Sequence, residues 1–138
     1  MIELKNYLRT SFNKLVLFDT SVVLDYLRGD PRAKSFFDDY VFGGLLTPAI
    51  STLTVGELFM GVRDKQEENT LNLWLTGLFD VIGSDYETLK KAGLLRRQRS
   101  IKMGDAMIAA TAMGEHIPLL TNKMEQYRGL NLKIFKPY

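Results

Sequence analysis

The chain has 138 residues, of which 46% are hydrophobic and 25% are charged, and this is typical of one globular domain with a substantial core. The absence of cysteine excludes disulfides, zinc–thiolate sites and thiol nucleophiles, and no apolar run approaches the roughly 20 residues that span a bilayer. The net charge of +2 is too small to indicate nucleic-acid binding by itself. We therefore expect a soluble, cytoplasmic protein without a membrane segment, in which any basic surface is local.

Residues 1–14 precede the first apolar run of the chain. They are polar and weakly patterned, they lack the apolar core of a signal peptide, and we interpret them as an N-terminal extension of a domain that spans 15–138. The apolar run LVLF at 15–18 is typical of a strand buried on both faces. Apolar residues then recur at helical spacing from Ser21, which predicts a strand, a turn and a helix.

The rest of the chain alternates between helical and strand patterns. Asp30 and Pro31 predict the start of a helix, Thr52 or Thr54 is expected to cap a later one, and Gly114 is expected to end another. The predicted elements after the first strand are helices at 21–28 and 31–42, a strand at 45–50, a helix that ends near 62, a helix at 64–79, a strand at 79–82, helices at 85–99 and 104–114, a strand at 117–121, a short helix at 124–127 and a strand at 132–135. This order predicts an α/β fold in which helices cover both faces of a mainly parallel sheet.

Three acidic residues occupy comparable places in this pattern. Asp19 directly follows the first strand, Glu57 lies a few residues beyond the second, and Asp105 opens the helix after a basic segment. Ligands of parallel sheets bind beyond the carboxyl ends of the strands. Carboxylates that share one pocket repel each other unless a divalent cation neutralises them, and hard oxygen ligands select Mg²⁺ or Mn²⁺. The three acids are therefore candidate metal ligands.

Each acid also has a purely structural interpretation. Asp19 could cap the following helix, although the two hydroxyl residues after it could do so equally well. Asp105 could also be a cap, but it lies in line with the apolar stripe of its helix and should therefore be buried. Glu57 lies opposite the apolar stripe of its own helix, which predicts exposure, whereas Gly56 and Gly61 indicate a close approach at that face.

Three sequence blocks, FDTSVVLDYL, STLTVGELFMGV and GDAMIAATAMGEHIPLLTNKMEQYRGL, follow one another from about residue 15 to the C-terminus. Together they resemble the signature blocks of the PIN-domain family, and most closely the VapC-type toxins of toxin–antitoxin pairs. The resemblance implies a three-layer α/β/α sandwich with a parallel five-stranded sheet. It also implies a Mg²⁺-dependent endoribonuclease that cleaves single-stranded or structured RNA to 5′-phosphate and 3′-hydroxyl ends, with Mn²⁺ able to replace Mg²⁺. Asp19, Glu57 and Asp105 correspond to the family's acidic pocket, and the expected partners are an antitoxin protein and a second copy of the chain.

Four further polar residues match family positions near that pocket. Thr20 and Ser21 stand where hydroxyls support the first aspartate or a metal-bound water, and Thr121 and Asn122 form the TN block of the family. The resemblance therefore implies that these four residues orient the ligands rather than bind the metal directly.

The TN block departs from the family pattern. Members often have asparagine or aspartate two residues past the threonine, and sometimes a further aspartate, but here Lys123 and Gln126 occupy these positions. Loss of an acidic ligand favours one metal ion over two. A lysine at the pocket rim is expected to repel the metal and to attract the substrate phosphate, unless the turn is shifted so that Asn122 or Glu125 is a ligand.

A basic segment precedes Asp105. It is either a solvated helix face or a track for phosphates, and its position beside the acid favours RNA. The candidate RNA-binding residues are Lys90, Lys91, Arg96, Arg97, Arg99, Lys102 and Lys123.

Other functions are less compatible with the sequence. A non-catalytic PIN-like module that binds RNA or a protein is the main alternative, because the altered TN block could impair metal binding. A haloacid-dehalogenase-type phosphotransferase needs an aspartate where Ser21 stands, and a receiver domain needs one after the strand at 45–50. A ribonuclease built on a histidine pair is excluded because His116 is the only histidine.

Overall fold

The computed structural model describes the backbone of residues 2–138 and the side chains of residues 3–138, and it contains one five-stranded parallel sheet. The strands are β1 (Leu15–Phe18), β2 (Thr47–Ser51), β3 (Asp80–Ile82), β4 (Leu119–Leu120) and β5 (Ile134–Phe135). The helices are α1 (Ile2–Thr10), α2 (Thr20–Leu27), α3 (Pro31–Phe36) with a π-helical continuation (Phe37–Phe42), α4 (Thr52–Phe59), α5 (Lys65–Leu78), α6 (Tyr86–Gln98), α7 (Met103–Glu115) and α8 (Met124–Tyr127).

Alternate residues of β1 pack on opposite faces of the sheet. Val16 and Phe18 belong to a core that also contains residues of α1 to α5, whereas Leu17 belongs to a second core with α6 and α7. All three side chains are fully buried, as the continuous apolar run predicted. The predicted three-layer α/β/α architecture is therefore confirmed.

Successive strands are added to one side of β1 first and then to its other side. The strand order is β3-β2-β1-β4-β5, so the chain proceeds from β1 to one edge and later returns through α6 and α7 to the other side. Such a reversal leaves a crevice beyond the carboxyl ends of the two central strands. Here those strands are β1 and β4, and the Asp19 backbone N–H donates to the Leu120 carbonyl at 2.9 Å, which places Asp19 at the crevice.

The N-terminal segment contains a helix that the sequence pattern did not reveal. In α1, Leu4 and Leu8 are 0% and 5% exposed and join the core that contains Phe18. Residues four apart lie on the same helical face, so two leucines suffice to pack this otherwise polar helix against the domain. The domain boundary at residue 15 stays a prediction.

Two predicted helix ends were wrong. Ser51, and not Thr52 or Thr54, caps α4, because its Oγ accepts a hydrogen bond from the Thr54 backbone N–H at 3.2 Å. Helix α7 continues through Gly114 to Glu115, and its C-cap residue His116 adopts a left-handed conformation with φ of 56°.

The close approach expected at Gly56 and Gly61 is not found. A Cβ atom added to Gly56 would meet no atom of the described residues within 4 Å, and one at Gly61 would lie 3.6 Å from the Leu58 carbonyl oxygen, an ordinary contact. Gly56 in α4 and Gly61 just beyond its end therefore do not mark tight packing among the described residues. None of the helices described is both long enough and apolar enough to cross a membrane.

Candidate active site

Two aspartates from distant parts of the chain converge at the crevice. Asp19 follows β1 and is 1% exposed, and Asp105 lies in the first turn of α7 and is 7% exposed. The Tyr127 hydroxyl is 3.4 Å from Asp19 Oδ2 and 3.3 Å from Asp105 Oδ1. The Lys123 ammonium is 3.9 Å and 2.9 Å from the same two oxygens, so both carboxylates share these neighbours. The pocket formed by Asp19, Asp105, Lys123 and Tyr127 is called the acidic pocket below.

Asp19 does not act as a helix cap. It occupies the N-cap position of α2, but its side chain makes no capping hydrogen bond. Instead its Oδ2 accepts a hydrogen bond from Thr121 Oγ1 at 2.7 Å, across the crevice from the end of β4. Thr121 Oγ1 also accepts a hydrogen bond from the Lys123 backbone N–H at 2.9 Å, so one buried threonine positions both the aspartate and the following turn.

Asp105 is buried on the inner face of α7, as its place in the apolar stripe predicted. It is not a cap, because Lys102 occupies the N-cap position of this helix. The helix brings Asp105 toward the crevice from the core face that is opposite to Phe18. The two aspartates therefore approach each other from different layers of the fold.

Glu57 stands at the edge of the acidic pocket and is exposed, as the helical periodicity predicted. Its Oε1 accepts a hydrogen bond from Thr20 Oγ1 at 2.8 Å, and Thr20 Oγ1 lies 2.8 Å from Thr54 Oγ1. The Thr20 hydroxyl thus contacts Glu57, and the support of Asp19 or of a metal-bound water that the resemblance implied stays a prediction. Within residues 3–138 no three acidic, histidine or cysteine side chains come close enough to form a ready-made metal cluster, so Glu57 does not complete one with the two aspartates.

Burial dominates the electrostatics of the pocket. It raises the pKa of the Asp19 carboxyl, and the charge of Asp105 raises it further, while Lys123 and the Thr121 hydrogen bond partly oppose this. Burial by itself lowers the pKa of the Lys123 ammonium, but the hydrogen bond to Asp105 and the charges of Asp19, Asp105 and Glu57 raise it above its usual value. Burial and the two carboxylates also raise the pKa of the Tyr127 phenol, so its hydroxyl stays protonated and can donate.

The donor atoms of the pocket fit a divalent cation. Asp19 Oδ1 and Asp105 Oδ2 are buried and have no hydrogen-bond partner among the described residues. Buried carboxylate oxygens without partners are costly, and hard oxygen ligands are those that Mg²⁺ and Mn²⁺ prefer. Each aspartate thus has one oxygen occupied by protein donors and one open oxygen that can coordinate a metal ion.

The other residues expected to support the pocket differ in their placement. Ser21 Oγ and Asn122 Oδ1 are buried and accept or donate no hydrogen bond in the part of the chain that the structure describes. Asn122 lies beside Tyr138. Burial and Asp25 raise the pKa of the Tyr138 phenol, and a hydrogen bond with the Asn122 side chain partly offsets this rise. The Lys123 ammonium reaches both aspartates, and which residue of this turn corresponds to the family's ligand position stays a prediction.

Most residues of the basic segment line one or the other of two clefts. Arg96, Arg99 and Lys102 line a cleft of about 440 Å³ together with Gln126, the neighbour of Tyr127 in α8. Lys90 and Lys91 line a separate cleft of about 680 Å³ that also contains acidic residues of α6 and α7. Arg97 is exposed and lines neither of these two clefts.

Comparison with known proteins agrees with this architecture. The model of the PIN domain family matches residues 16–128. Ribonuclease VapC1 of Methanocaldococcus jannaschii is 31% identical over 133 residues, which cover 87% of this chain and 86% of that protein. Ribonuclease VapC19 of Mycobacterium tuberculosis is 30% identical over 115 residues, which cover 80% of this chain and 90% of that protein.

A solved structure of a toxin–antitoxin complex from Klebsiella pneumoniae contains a chain that superposes with a TM-score of 0.76 at 26% identity. The superposition covers 89% of this chain and 98% of that one. The family model and the superposition each cover most of the chain, and the chain belongs to the PIN-domain family.

Proposed function

We propose that this protein is a metal-dependent endoribonuclease and the toxin of a toxin–antitoxin pair. The observation that carries the proposal is that Asp19 and Asp105 converge at the crevice of the sheet. Each has one buried carboxylate oxygen that accepts no hydrogen bond from the described residues. Two relatives of comparable length are named ribonucleases, which supports RNA as the substrate. The reaction is hydrolysis of a phosphodiester bond, in which a water oxygen bonds to phosphorus and the bond to the 3′ oxygen breaks, leaving 5′-phosphate and 3′-hydroxyl ends.

Asp19 and Asp105 would hold one divalent cation, Mg²⁺ or Mn²⁺, through their open oxygens. Bound there, the ion supplies charge neutralisation at the scissile phosphate and lowers the pKa of a bound water. Thr121 orients Asp19 by its hydrogen bond, and burial of both aspartates excludes competing bulk water. Glu57, held by Thr20 at the edge of the pocket, either binds the ion through water or orients the attacking water and accepts its proton.

The cleft that contains Arg96, Arg99 and Lys102 is proposed to guide the RNA backbone. It shares α8 with the acidic pocket, because Gln126 lines the cleft and Tyr127 contacts both aspartates. Arg99 Nη2 donates to the Gln126 carbonyl at 3.2 Å, which holds the cleft against α8. Lys90 and Lys91 lie in a different cleft with acidic neighbours, so we expect them to contribute less to RNA binding.

A partner protein is proposed to cover the apolar cleft between α2 and α5. This cleft has a volume of about 800 Å³ and is lined by Leu24, Leu27, Leu58, Val62 and Trp74, among others. The solved complex from Klebsiella pneumoniae contains a toxin and an antitoxin, which supports an antitoxin as the occupant. We also propose that the protein forms a homodimer, as the family resemblance implies.

A non-catalytic binding module remains the second candidate, and one observation favours it. Lys123 already pairs with both aspartates, and the described residues contain no ready-made cluster of three metal ligands. Such a module would bind RNA without needing a divalent ion.

The deciding experiment measures cleavage of a labelled RNA in Mg²⁺ or Mn²⁺ and in EDTA. We expect cleavage with either metal and none in EDTA, and we expect Arg99→Gln to weaken RNA binding at low salt more than the matched variant Lys90→Gln. Cleavage at full rate in EDTA would contradict the metal mechanism. RNA binding without cleavage in millimolar Mn²⁺ would favour the binding module.

A further inference from the structure

Lys123 reaches the two aspartates from the rim of the acidic pocket. Its side chain is 37% exposed, while the side chains of Asp19 and Asp105 are 1% and 9% exposed. The ammonium is 2.9 Å from Asp105 Oδ1 and 3.9 Å from Asp19 Oδ2. The contact with Asp105 is a charge-assisted hydrogen bond of ordinary length, and the more distant contact adds attraction without a hydrogen bond. In the described part of the chain, no other cation pairs with either aspartate.

The same two carboxylates are therefore candidates for two different cations. Lys123 and the protein hydroxyls use Asp105 Oδ1 and Asp19 Oδ2, whereas the opposite oxygens are open. A divalent ion bound at the open oxygens would lie on the same carboxylates as the ammonium and would repel it. Lysine has a flexible four-carbon stem and a strongly hydrated ammonium, so a partly exposed lysine can move to solvent at low cost.

We propose that Lys123 is an internal counter-ion of the acidic pocket, that a divalent ion displaces it, and that the displaced ammonium then binds the substrate phosphate at the pocket rim. This inference rests on the proposed metal-dependent function. Before metal binding, Lys123 compensates two buried carboxylates that would otherwise repel each other. After metal binding, the ion takes over this role, and the freed ammonium lies beside the place where the phosphate arrives with the ion.

The position of Lys123 in the chain supports such a movement. Its backbone N–H is fixed to Thr121 Oγ1 at 2.9 Å, so the stem begins at a defined point next to Asp19. The side chain beyond that point is held mainly by its contact with Asp105. Loss of this one contact would release the ammonium without moving the backbone or the Thr121 hydrogen bond to Asp19.

The test compares Lys123→Met with wild type and with the control Lys65→Met. Methionine keeps the length of the lysine stem but removes the charge. Lys65 pairs with Glu68 at 2.8 Å on the exposed surface of α5, so its replacement removes one charge and one ion pair away from the pocket. Lys123→Arg, which keeps the charge, is measured as well.

Two readouts are independent of RNA cleavage. We expect calorimetric Mn²⁺ affinity to rise on the order of tenfold in Lys123→Met, the lower end of the range by which groups around a metal site alter affinity. In EDTA we expect Lys123→Met to unfold at a lower temperature than Lys65→Met, because two buried carboxylates lose their counter-ion. Lys123→Arg and Lys65→Met should bind Mn²⁺ no more tightly than wild type. In the presence of saturating Mn²⁺, the KM for RNA should rise in Lys123→Met and not in Lys65→Met.

Unchanged Mn²⁺ affinity in Lys123→Met, together with a stability equal to that of Lys65→Met, would overturn the proposal. An unchanged KM at saturating Mn²⁺ would overturn its second part, the contact with the phosphate. If wild type binds Mn²⁺ but cleaves no RNA, the proposed nuclease function fails, while the metal titration still decides whether the ion displaces Lys123. If Lys123→Met does not fold, tighter Mn²⁺ binding by Lys123→Arg would still contradict displacement.

Discussion

Phe18 and Asp19 are neighbours in the chain, but they belong to regions of opposite character. Phe18 lies in an aromatic cluster, where its ring centroid is 5.5 Å from that of Phe37 and 5.8 Å from that of Phe79, both in edge-on geometry. Asp19 lies in the acidic pocket, where its Oδ1 is buried and has no hydrogen-bond partner within residues 3–138. The rings of the aromatic cluster pack against one another, whereas the pocket contains polar atoms that lack hydrogen-bond partners among the described residues.

This difference separates the sources of stability and of function. Aromatic rings that each contact several others gain dispersion and hydrophobic energy, and nothing in the cluster needs a ligand. In the acidic pocket, burial raises the pKa of Asp19, and the one compensating cation among the described residues is Lys123 at the rim. Such a local conflict is typical of sites whose missing partner is a metal ion or a substrate. Substitutions in the two regions should therefore have different consequences.

The largest effect is expected for the aspartates. Asp19→Asn and Asp105→Asn should each reduce RNA cleavage below detection, because each removes one charge from the proposed metal site. Their stabilities in EDTA at pH 7 should differ. Asn at 19 removes the cost of a buried charge and can still accept the Thr121 hydrogen bond, so its melting temperature should equal or exceed that of wild type. Asn at 105 can still accept a hydrogen bond from Lys123, but it removes the negative charge that pairs with the ammonium at 2.9 Å, so this variant should have a lower melting temperature.

Cleavage assays and thermal unfolding of the two variants check this prediction. A folded Asp19→Asn variant with normal cleavage would remove Asp19 from the proposed mechanism. An unfolded Asp19→Asn variant would make the aspartate a structural residue and would erase the contrast with Phe18.

The next effect concerns the aromatic cluster. Phe37 is fully buried, stacks on Tyr26 at 4.3 Å and meets Phe18 edge-on. Phe37→Ala should lower the free energy of unfolding by about 3–5 kcal/mol, because the cavity adds to the lost burial. Phe37→Leu, which keeps most of the apolar volume, should cost less. Chemical denaturation gives both values, and any Phe37→Ala protein that remains folded should keep the Mn²⁺ affinity of wild type, since the ring does not contact the acidic pocket.

The sequence predicted features that depend on neighbouring residues, and it missed features that depend on contacts between residues far apart in the chain. The strand LVLF at 15–18 was predicted well, because burial on both faces requires only a local apolar run. Burial of Asp105 was predicted for the same reason, from the apolar stripe of its own helix. Helix α1 was missed, since Leu4 and Leu8 are too few to give a recognisable pattern, and their burial depends on the rest of the fold.

Interactions between distant segments could not be predicted from periodicity. Tyr127 is the last residue of the predicted short helix at 124–127, and nothing in that pattern indicates that its hydroxyl meets Asp19, 108 residues away, and Asp105, 22 residues away. The family resemblance led to Glu57, which periodicity placed at the surface, and the structure shows an exposed Glu57 that Thr20 ties to the edge of the pocket. The roles of these residues in catalysis stay predictions.

The smallest effect is expected for Tyr127, which belongs to both kinds of region. Its ring is 1% exposed and packs in the core with α6 and α7, while its hydroxyl touches the acidic pocket. Hydrogen bonds to charged groups contribute about 1.5–3 kcal/mol at good geometry, but oxygen–oxygen distances of 3.3 Å and 3.4 Å exceed the usual 2.7–2.8 Å. Tyr127→Phe keeps the ring and should therefore change the free energy of unfolding in EDTA by about 1 kcal/mol or less. A loss of about 2 kcal/mol or more in chemical denaturation would show that the hydroxyl is a strong donor to the aspartates. Residue 127 would then belong with Asp19 in the pocket and not with Phe18 in the packed core.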